Sequence, residues 1–205
     1  MPKINFRKIK ETLGEALDKS GAKNVIVVGD IKNEFSDVHV EEFNEFREFV
    51  VFLREEKRVE GITLIKGNHD NFIDRFEVPL GFVVHGQEAL IGKYLFFHGE
   101  ELPLSKGGET LIMGHLHPSI AVYNKLGVKE KIRCFLCGRL ADNRQVIVLP
   151  AMNYFAEGVD VNIGDAGDVA PIFKRMLDID EMRALCVSEG ETLDFGKVRE
   201  LKGIL

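Results

Sequence analysis

Four short runs of β-branched and aromatic residues, each followed by glycine and a possible metal ligand, constrain the fold of this chain most. The runs are Val25–Val28, Ile62–Ile65, Tyr94–Phe97 and Thr110–Met113. Such runs are typical of buried strands. The residues after them are Gly29-Asp30, Gly67-Asn68-His69-Asp70, His98-Gly99 and Gly114-His115-Leu116-His117. Because α/β folds carry their chemistry at the carboxyl ends of strands, the sequence predicts an α/β fold with a site built from strand ends.

Helical spacing of apolar residues predicts one helix from about Ile4 to Ser20 and a second from near Val38 to about Lys57. The strand at Val25–Val28 lies between these helices, and the strand at Ile62–Ile65 follows them. Helices and strands that alternate in this way favour parallel strands joined by helical crossovers.

From Gly81 onward short strands alternate with turns, which is typical of an antiparallel half. The strands predicted there are Phe82–His85, Ala89–Ile91, Tyr94–Phe97, Leu111–Met113, Ile120–Tyr123, Lys131–Leu136 and Gln145–Leu149. A short helix near Pro171–Leu177 and a hairpin around Arg183–Phe195 are predicted to close the chain. We expect one domain over residues 1–205, in which residues 151–205 form a C-terminal appendage.

Composition narrows the function classes. The net charge of -6 argues against broad electrostatic binding to nucleic acid or to anionic membranes. It does not exclude a nuclease, because bound divalent metals would make the site locally cationic. No apolar run reaches transmembrane length, and the first residues lack the apolar core of a signal peptide. The three cysteines suit a reducing compartment. We therefore expect a cytoplasmic protein with no membrane partner.

Two of the cysteines, Cys134 and Cys137, form a C-x-x-C. No second C-x-x-C completes a zinc site, and residues three apart on a strand point to opposite faces. Core thiols are the better interpretation, and the same applies to Cys186.

The candidate metal ligands mix oxygen and nitrogen donors. They are Asp30, Asn68, His98, His115 and His117. This mix suits Mn, Fe, Zn or Ni better than calcium. Two metals roughly 3.5–4 Å apart would activate a bridging water for in-line displacement at phosphorus. His69 could then protonate the leaving oxygen or stabilise charge on the phosphate, with Asp70 orienting it. Each motif alone has an ordinary structural explanation, but the ordered set predicts a metal site.

Taken together, these motifs resemble those of the calcineurin-like metallophosphoesterases. The matching elements are Gly29-Asp30-x-x-Asn33, Gly67-Asn68-His69-Asp70, His98 and Gly114-His115-x-His117. A narrower resemblance, to archaeal phosphoesterases related to the nuclease subunit SbcD, covers Val28–Phe35, Lys66–Asp70, Gly114–Pro118 and Leu149–Asn153. The resemblance implies a four-layer α/β/β/α sandwich and a divalent metal cofactor, most often manganese.

The same resemblance implies roles for individual residues. Asp30 would bridge two metals, with Asn68, His98 and His115 completing one shell and His117 belonging to the other. Lys32 and Asn33 would bind the substrate, which is a phosphate ester and could be nucleic acid.

One family motif, Asp-x-His, does not precede Gly29-Asp30. Asp37-Val38-His39 has the spacing but comes later in the chain, where a helix N-cap is the better interpretation. We expect one full metal shell, a second shell with only Asp30 and His117, and a fold that lacks its first strand. A sequence that starts after the motif explains this most simply, and a degenerate relative is the next explanation.

Loss of that strand would leave Val25–Val28 at a sheet edge, which we expect a changed N-terminus or a homodimer to cover.

Three functions stay open at this point. The first is a phosphodiesterase or nuclease with a dinuclear site, weakened at its second metal. A hydrolase of small phosphate esters is the second, and it suits the acidic charge. The third is a non-catalytic scaffold or phosphate-binding module.

Overall fold

The computed structural model describes residues 3–31, 40–156, 158–163, 175–188 and 191–202. The chain divides into two units, Met1–Ala89 with Met152–Phe155 and Leu90–Ala151 with Ala156–Leu205. The single domain expected from the sequence stays a prediction. Lys32, Asn33 and the Asp37-Val38-His39 triplet lie outside the described residues, as does most of the helix predicted near Pro171–Leu177.

The first unit follows the predicted order of helices and parallel strands. Its elements are α1 (Lys3–Ser20), β1 (Asn24–Val28), α2 (Val40–Val51), β2 (Gly61–Ile65), α3 (Glu77–Leu80) and β3 (Val83–His85). The sheet order is β1-β2-β3, and both strand pairs are parallel. The apolar faces of the helices supply Leu17, Phe46 and Val50 to a core that also holds Ile62 and Leu64 of β2.

The prediction for β3 was wrong in its partner. The sequence placed this strand in the antiparallel half, but it pairs in parallel with β2, with Ile65 opposite His85. A 3₁₀ turn (Ile73–Phe76) and α3 connect the two strands, and a connection of this kind returns the chain to the same end of the sheet. Side-chain alternation looks the same for either direction of pairing, so it could not show this.

Strand β1 lies at the edge of its sheet in the described part of the chain, as expected. Helix α1 precedes it and is tied to the Met152–Phe155 segment through Asn5. The buried Asn5 amide donates to Asn153 Oδ1 at 2.8 Å and accepts from the Tyr154 N–H at 2.9 Å. The N-terminus is therefore an anchored helix, whereas the homodimer stays a prediction.

Helix α2 ends in a π-helical turn over Phe52–Glu56. The Lys57 N–H donates to the Phe52 carbonyl five residues earlier, at 3.2 Å. Both Phe52 and Leu53 are buried. The sequence predicted a single helix to about Lys57, and helical spacing alone did not reveal this change of period.

The second unit is built on a larger sheet. Its strands are β4 (Glu88–Ile91), β5 (Tyr94–Phe97), β6 (Thr110–Met113), β7 (Pro118–Tyr123), β8 (Lys129–Arg133), β9 (Phe135–Arg139), β10 (Gln145–Val148), β11 (Val159–Asp160), β12 (Arg183–Ser188) and β13 (Glu191–Lys197). A 3₁₀ turn (Ile179–Glu181) and α4 (Val198–Leu201) complete its described elements.

The seven-stranded sheet has the order β13-β12-β9-β10-β6-β5-β4, and a separate sheet has the order β11-β7-β8. The antiparallel half expected from the sequence is only partly correct. β5, β6 and β10 run parallel, whereas β10, β9, β12 and β13 pair antiparallel. The predicted closing hairpin is confirmed as β12 and β13.

The strand predicted at Lys131–Leu136 is two strands in different sheets, and Cys134 lies at the break. The Cys134 N–H donates to the Pro118 carbonyl at 3.1 Å. Both Cys134 and Cys186 are buried in the core of this unit, and all three cysteines are free. A hydrogen bond with Cys186, together with burial, raises the pKa of the Cys134 thiol, and burial raises the pKa of the Cys137 thiol. Cys134 and Cys186 are core thiols, as predicted, whereas Cys137 is only partly buried and lies outside this core.

No described helix is both long enough and apolar enough to span a membrane.

Candidate metal centre

The oxygen donors of the first unit follow two adjacent parallel strands. Val28, the last residue of β1, is opposite Ile65, the last residue of β2. Asp30 comes two residues after β1 and Asn68 three residues after β2. Parallel strands end at the same edge of a sheet, so both side chains belong to one edge.

The turn after β2 packs directly on the Asp30 loop. A Cβ at Gly67 would lie 2.3 Å from Asp30 Oδ1 and 2.7 Å from the Asp30 nitrogen. The His69 N–H donates to Asp30 Oδ1 at 3.1 Å. Only glycine fits at position 67, because any side chain would push the two loops apart.

Asp70 is buried, and its carboxylate joins the same two loops through hydrogen bonds. Its Oδ2 accepts from the Asp30 N–H at 2.7 Å and from the Gly67 N–H at 2.9 Å, and its Oδ1 accepts from the Ile31 N–H at 3.0 Å. Charge-assisted bonds of this kind are stronger than neutral ones. Sequence reasoning missed this role, because the bonded residues lie about forty positions apart in the chain.

Asn68 carries a sign of a missing partner. Its Oδ1 is buried and has no hydrogen-bond partner in the described part of the chain. A buried carbonyl left in this state costs about 1–3 kcal/mol, so such groups call for an explanation. A cation is one partner that a neutral amide oxygen can coordinate.

The nitrogen donors of the second unit are arranged in the same way. His98 directly follows β5, and His115 comes two residues after β6, with Phe97 opposite Met113 in the parallel pair. The Gly114 N–H donates to the His98 carbonyl at 2.9 Å, so the two strand ends stay joined. Gly99 next to His98 has φ +112°, which only glycine adopts readily.

The two imidazoles are in contact. His115 Nδ1 lies 3.1 Å from His98 Nε2, and the ring centroids are 5.0 Å apart with planes at 78°. One ring can donate an N–H to the other in this geometry. Two nitrogens bound at about 2.1 Å to the same ion would also lie about 3.0–3.4 Å apart. The pair therefore has the spacing of two ligands of one metal.

Three of the five predicted ligands have strained backbones. Asp30, His115 and His117 have φ values of 55°, 64° and 49°. Left-handed conformations cost non-glycine residues roughly 1–2 kcal/mol each. Strain of this kind clusters at functional sites. His117 lies directly before β7, and its carbonyl accepts the Val159 N–H at 3.0 Å.

Comparison of the sequence with models of known protein families finds no match, and comparison with curated proteins finds none. Comparison of the structure with solved structures finds a nuclease. The crystal structure of Pseudomonas putida nuclease MPE matches with a TM-score of 0.62 and 17% sequence identity, over 93% of this chain and 78% of that chain.

This chain shares its fold with that nuclease. At such low identity the likeness shows the fold alone. It confirms the predicted α/β fold class. The narrower resemblance to archaeal SbcD-related enzymes and the absence of a first strand stay predictions.

Proposed function

We propose that this protein is a metal-dependent hydrolase of phosphate esters, of the phosphodiesterase or nuclease type. The observation that carries the proposal is the His98–His115 pair, with ring nitrogens 3.1 Å apart at the ends of adjacent parallel strands. The buried Asn68 Oδ1, which has no hydrogen-bond partner among the described residues, and the likeness in fold to a nuclease support it.

For the first metal we propose the ligands Asp30, Asn68, His98 and His115. Asp30, His98 and His115 each offer one ligand atom, and Asn68 offers its amide oxygen. A carboxylate, an amide and two imidazoles suit Mn, Fe, Zn or Ni, and we propose manganese. A second ion would share Asp30 and take His117, and with two ligands from the described residues it would be held more weakly.

A divalent ion held there would polarise the phosphoryl oxygens and activate a water molecule. His69 has a separate role in this proposal, which is to give a proton to the leaving oxygen. Its backbone N–H is fixed on Asp30 Oδ1, so the imidazole is presented from the same turn as the ligand Asn68. Asp70 fixes the backbones of both loops, and its orientation of His69 stays a prediction. Lys32 and Asn33 stay proposed substrate-binding residues outside the described ranges.

The test combines metal content with hydrolysis. The protein is stripped with a chelator, reloaded with manganese and assayed on bis-p-nitrophenyl phosphate, beside the variants His98→Ala and His85→Ala. His85 ends β3, outside the proposed ligand set, and serves as the matched control. We expect metal binding and hydrolysis by the wild type and by the control, and at least a hundredfold loss in His98→Ala. A His98→Ala variant with full metal content and full activity would overturn the proposal.

A further inference from the structure

An exposed aromatic residue, Phe72, stands just beyond the proposed acid His69. The Ile73 N–H donates to the Asp70 carbonyl at 3.3 Å and closes a turn whose third residue is Phe72. Phe72 has φ 64° and ψ 7°, the conformation that this position of a type II turn requires. Glycine or asparagine is usual there, and a bulky residue with positive φ is an outlier. Folding alone gives no reason for a phenylalanine.

The ring is presented outward from a well-anchored segment. Phe72 is 44% exposed, whereas Ile73 and Phe76 of the following 3₁₀ turn are buried in the core. The Arg75 guanidinium carbon lies 4.7 Å from the Phe72 ring centroid, in a cation–π contact. The Arg75 N–H also donates to the Phe72 carbonyl at 3.1 Å. Arginine therefore holds the aromatic ring from one side.

The position of the ring relative to His69 is limited by the chain itself. Three residues span at most about 11 Å between Cα atoms, and the two turns here are folded. Phe72 is therefore within reach of the nucleotide next to a phosphate that His69 would protonate.

We propose that Phe72 is a stacking platform for an unpaired nucleobase, with Arg75 supporting the ring from one side. The substrate class is then single-stranded nucleic acid. This inference rests on the proposed function and deepens it. Aromatic rings accept any base on their faces, so the platform does not depend on sequence. Stacking matters more for this chain than for a basic one, because its net charge of -6 offers little general attraction to phosphates.

The experiment compares Phe72→Gly and Phe72→Leu with the wild type in manganese. One substrate is a mixed-sequence single-stranded oligodeoxynucleotide, and the other is an abasic oligodeoxynucleotide of the same length, which has no base or other aromatic ring. Glycine fits the turn without strain, so the variant should fold at least as well. Arg58→Gly is the matched control, because Arg58 is exposed in the same unit with φ 55°.

We expect both Phe72 variants to lose roughly tenfold to a hundredfold in kcat/KM on the oligonucleotide, mainly through KM. Activity on the abasic oligodeoxynucleotide should stay within about twofold, because it has no ring to stack on Phe72. Arg58→Gly should change neither activity. Equal losses on both substrates, or none on the oligonucleotide, would overturn the inference.

A binding measurement separates this inference from the proposed function. Fluorescence anisotropy of the labelled strand is measured in chelator, where no hydrolysis occurs, and again with the same strand as a duplex. Weaker single-strand binding by Phe72→Gly than by wild type supports the platform even if the protein proves inactive. Absence of single-strand binding by the wild type, or an equal effect on the duplex, contradicts it.

Discussion

The two units of this chain both place candidate metal ligands at the ends of parallel strands, but they use different donor atoms and different contacts. Each ends two adjacent parallel strands in a pair of candidate ligands. In the first unit the donors are oxygens, and the buried carboxylate of Asp70 fixes the backbones of both loops. In the second the donors are imidazoles that contact each other. The hydrogen bonds to Asp70 join the loops of the first unit without an ion, and we expect the two imidazoles to gain more from binding one.

The largest expected effect is on the free energy of unfolding, and it concerns Asp70. Asp70→Ala removes the acceptor of three backbone N–H groups, and we expect it to lower the free energy of unfolding by about 3–5 kcal/mol. Denaturation by urea measures this. The control is Asp74→Ala in the next turn, which breaks an exposed pair with Lys66 and should cost about 0–1 kcal/mol. Equal losses of unfolding free energy in both variants would show that the hydrogen bonds to Asp70 stabilise the first unit no more than an exposed ion pair does.

For the imidazole pair we expect the opposite effect on the stability of the metal-free protein. His115→Gly should reduce kcat/KM at least hundredfold, about 3 kcal/mol in transition-state stabilisation. In chelator, however, the same variant should be more stable to unfolding by about 1 kcal/mol, because glycine relieves the strain at φ 64°.

Metal content, activity and thermal unfolding test this together. Asn143→Gly is the control in the same unit, at φ 70°, and should keep both metal and activity. Destabilisation of the metal-free protein by His115→Gly would contradict this, because it would mean that the His115 side chain stabilises the second unit without an ion.

Gly67→Ala tests the close approach of the two loops in the first unit. Its Cβ would lie 2.3 Å from Asp30 Oδ1, so we expect a loss of about 1–3 kcal/mol in stability. Metal affinity should fall as well, because Asp30 must move. Gly86→Ala is the control, since no atom lies within 4 Å of a Cβ there. Calorimetry and metal titration of both variants provide the measurement, and a neutral Gly67→Ala would contradict the described packing.

The smallest expected effect lies in the second unit, away from the ligands. Burial acts to raise the pKa of Asp160, but hydrogen bonds from Lys129 and Ser119 outweigh it and lower the pKa below its usual range. A carboxyl with a lowered pKa stabilises the folded state above the unfolded-chain pKa of about 4, and this contribution disappears as the pH falls through the folded value.

Asp160→Asn should therefore cost about 1 kcal/mol at pH 7. Its deficit should shrink steadily below pH 4. Unfolding of the variant and the wild type across this range measures the difference, and a deficit that does not change with pH would refute the assignment.

Sequence patterns predicted those helices and strands that depend on residues close together in the chain. The α1, β1 and β2 elements, and the strands that carry His98 and His115, were predicted because apolar spacing and glycine positions are visible in short windows. The five proposed ligands were singled out in the same way, because each lies within four residues after the end of such a strand.

Long-range features could not be predicted. The parallel pairing of β5, β6 and β10 depends on which distant strands meet, and side-chain alternation does not encode that. The hydrogen bonds of Asp70 to the Asp30 loop join residues about forty apart. The contact of His98 with His115 requires the register of two strands to be known.

The π-helical turn at the end of α2 has a consequence for how this chain can vary in length. A π turn holds one more residue than the α-helical turn that could replace it. Arg54, Glu55 and Glu56 in this turn are exposed. A single-residue deletion among them could be absorbed by conversion to α-helix before β2 begins at Gly61. A single-residue deletion would thus be tolerated here without shifting the loop that carries Asn68.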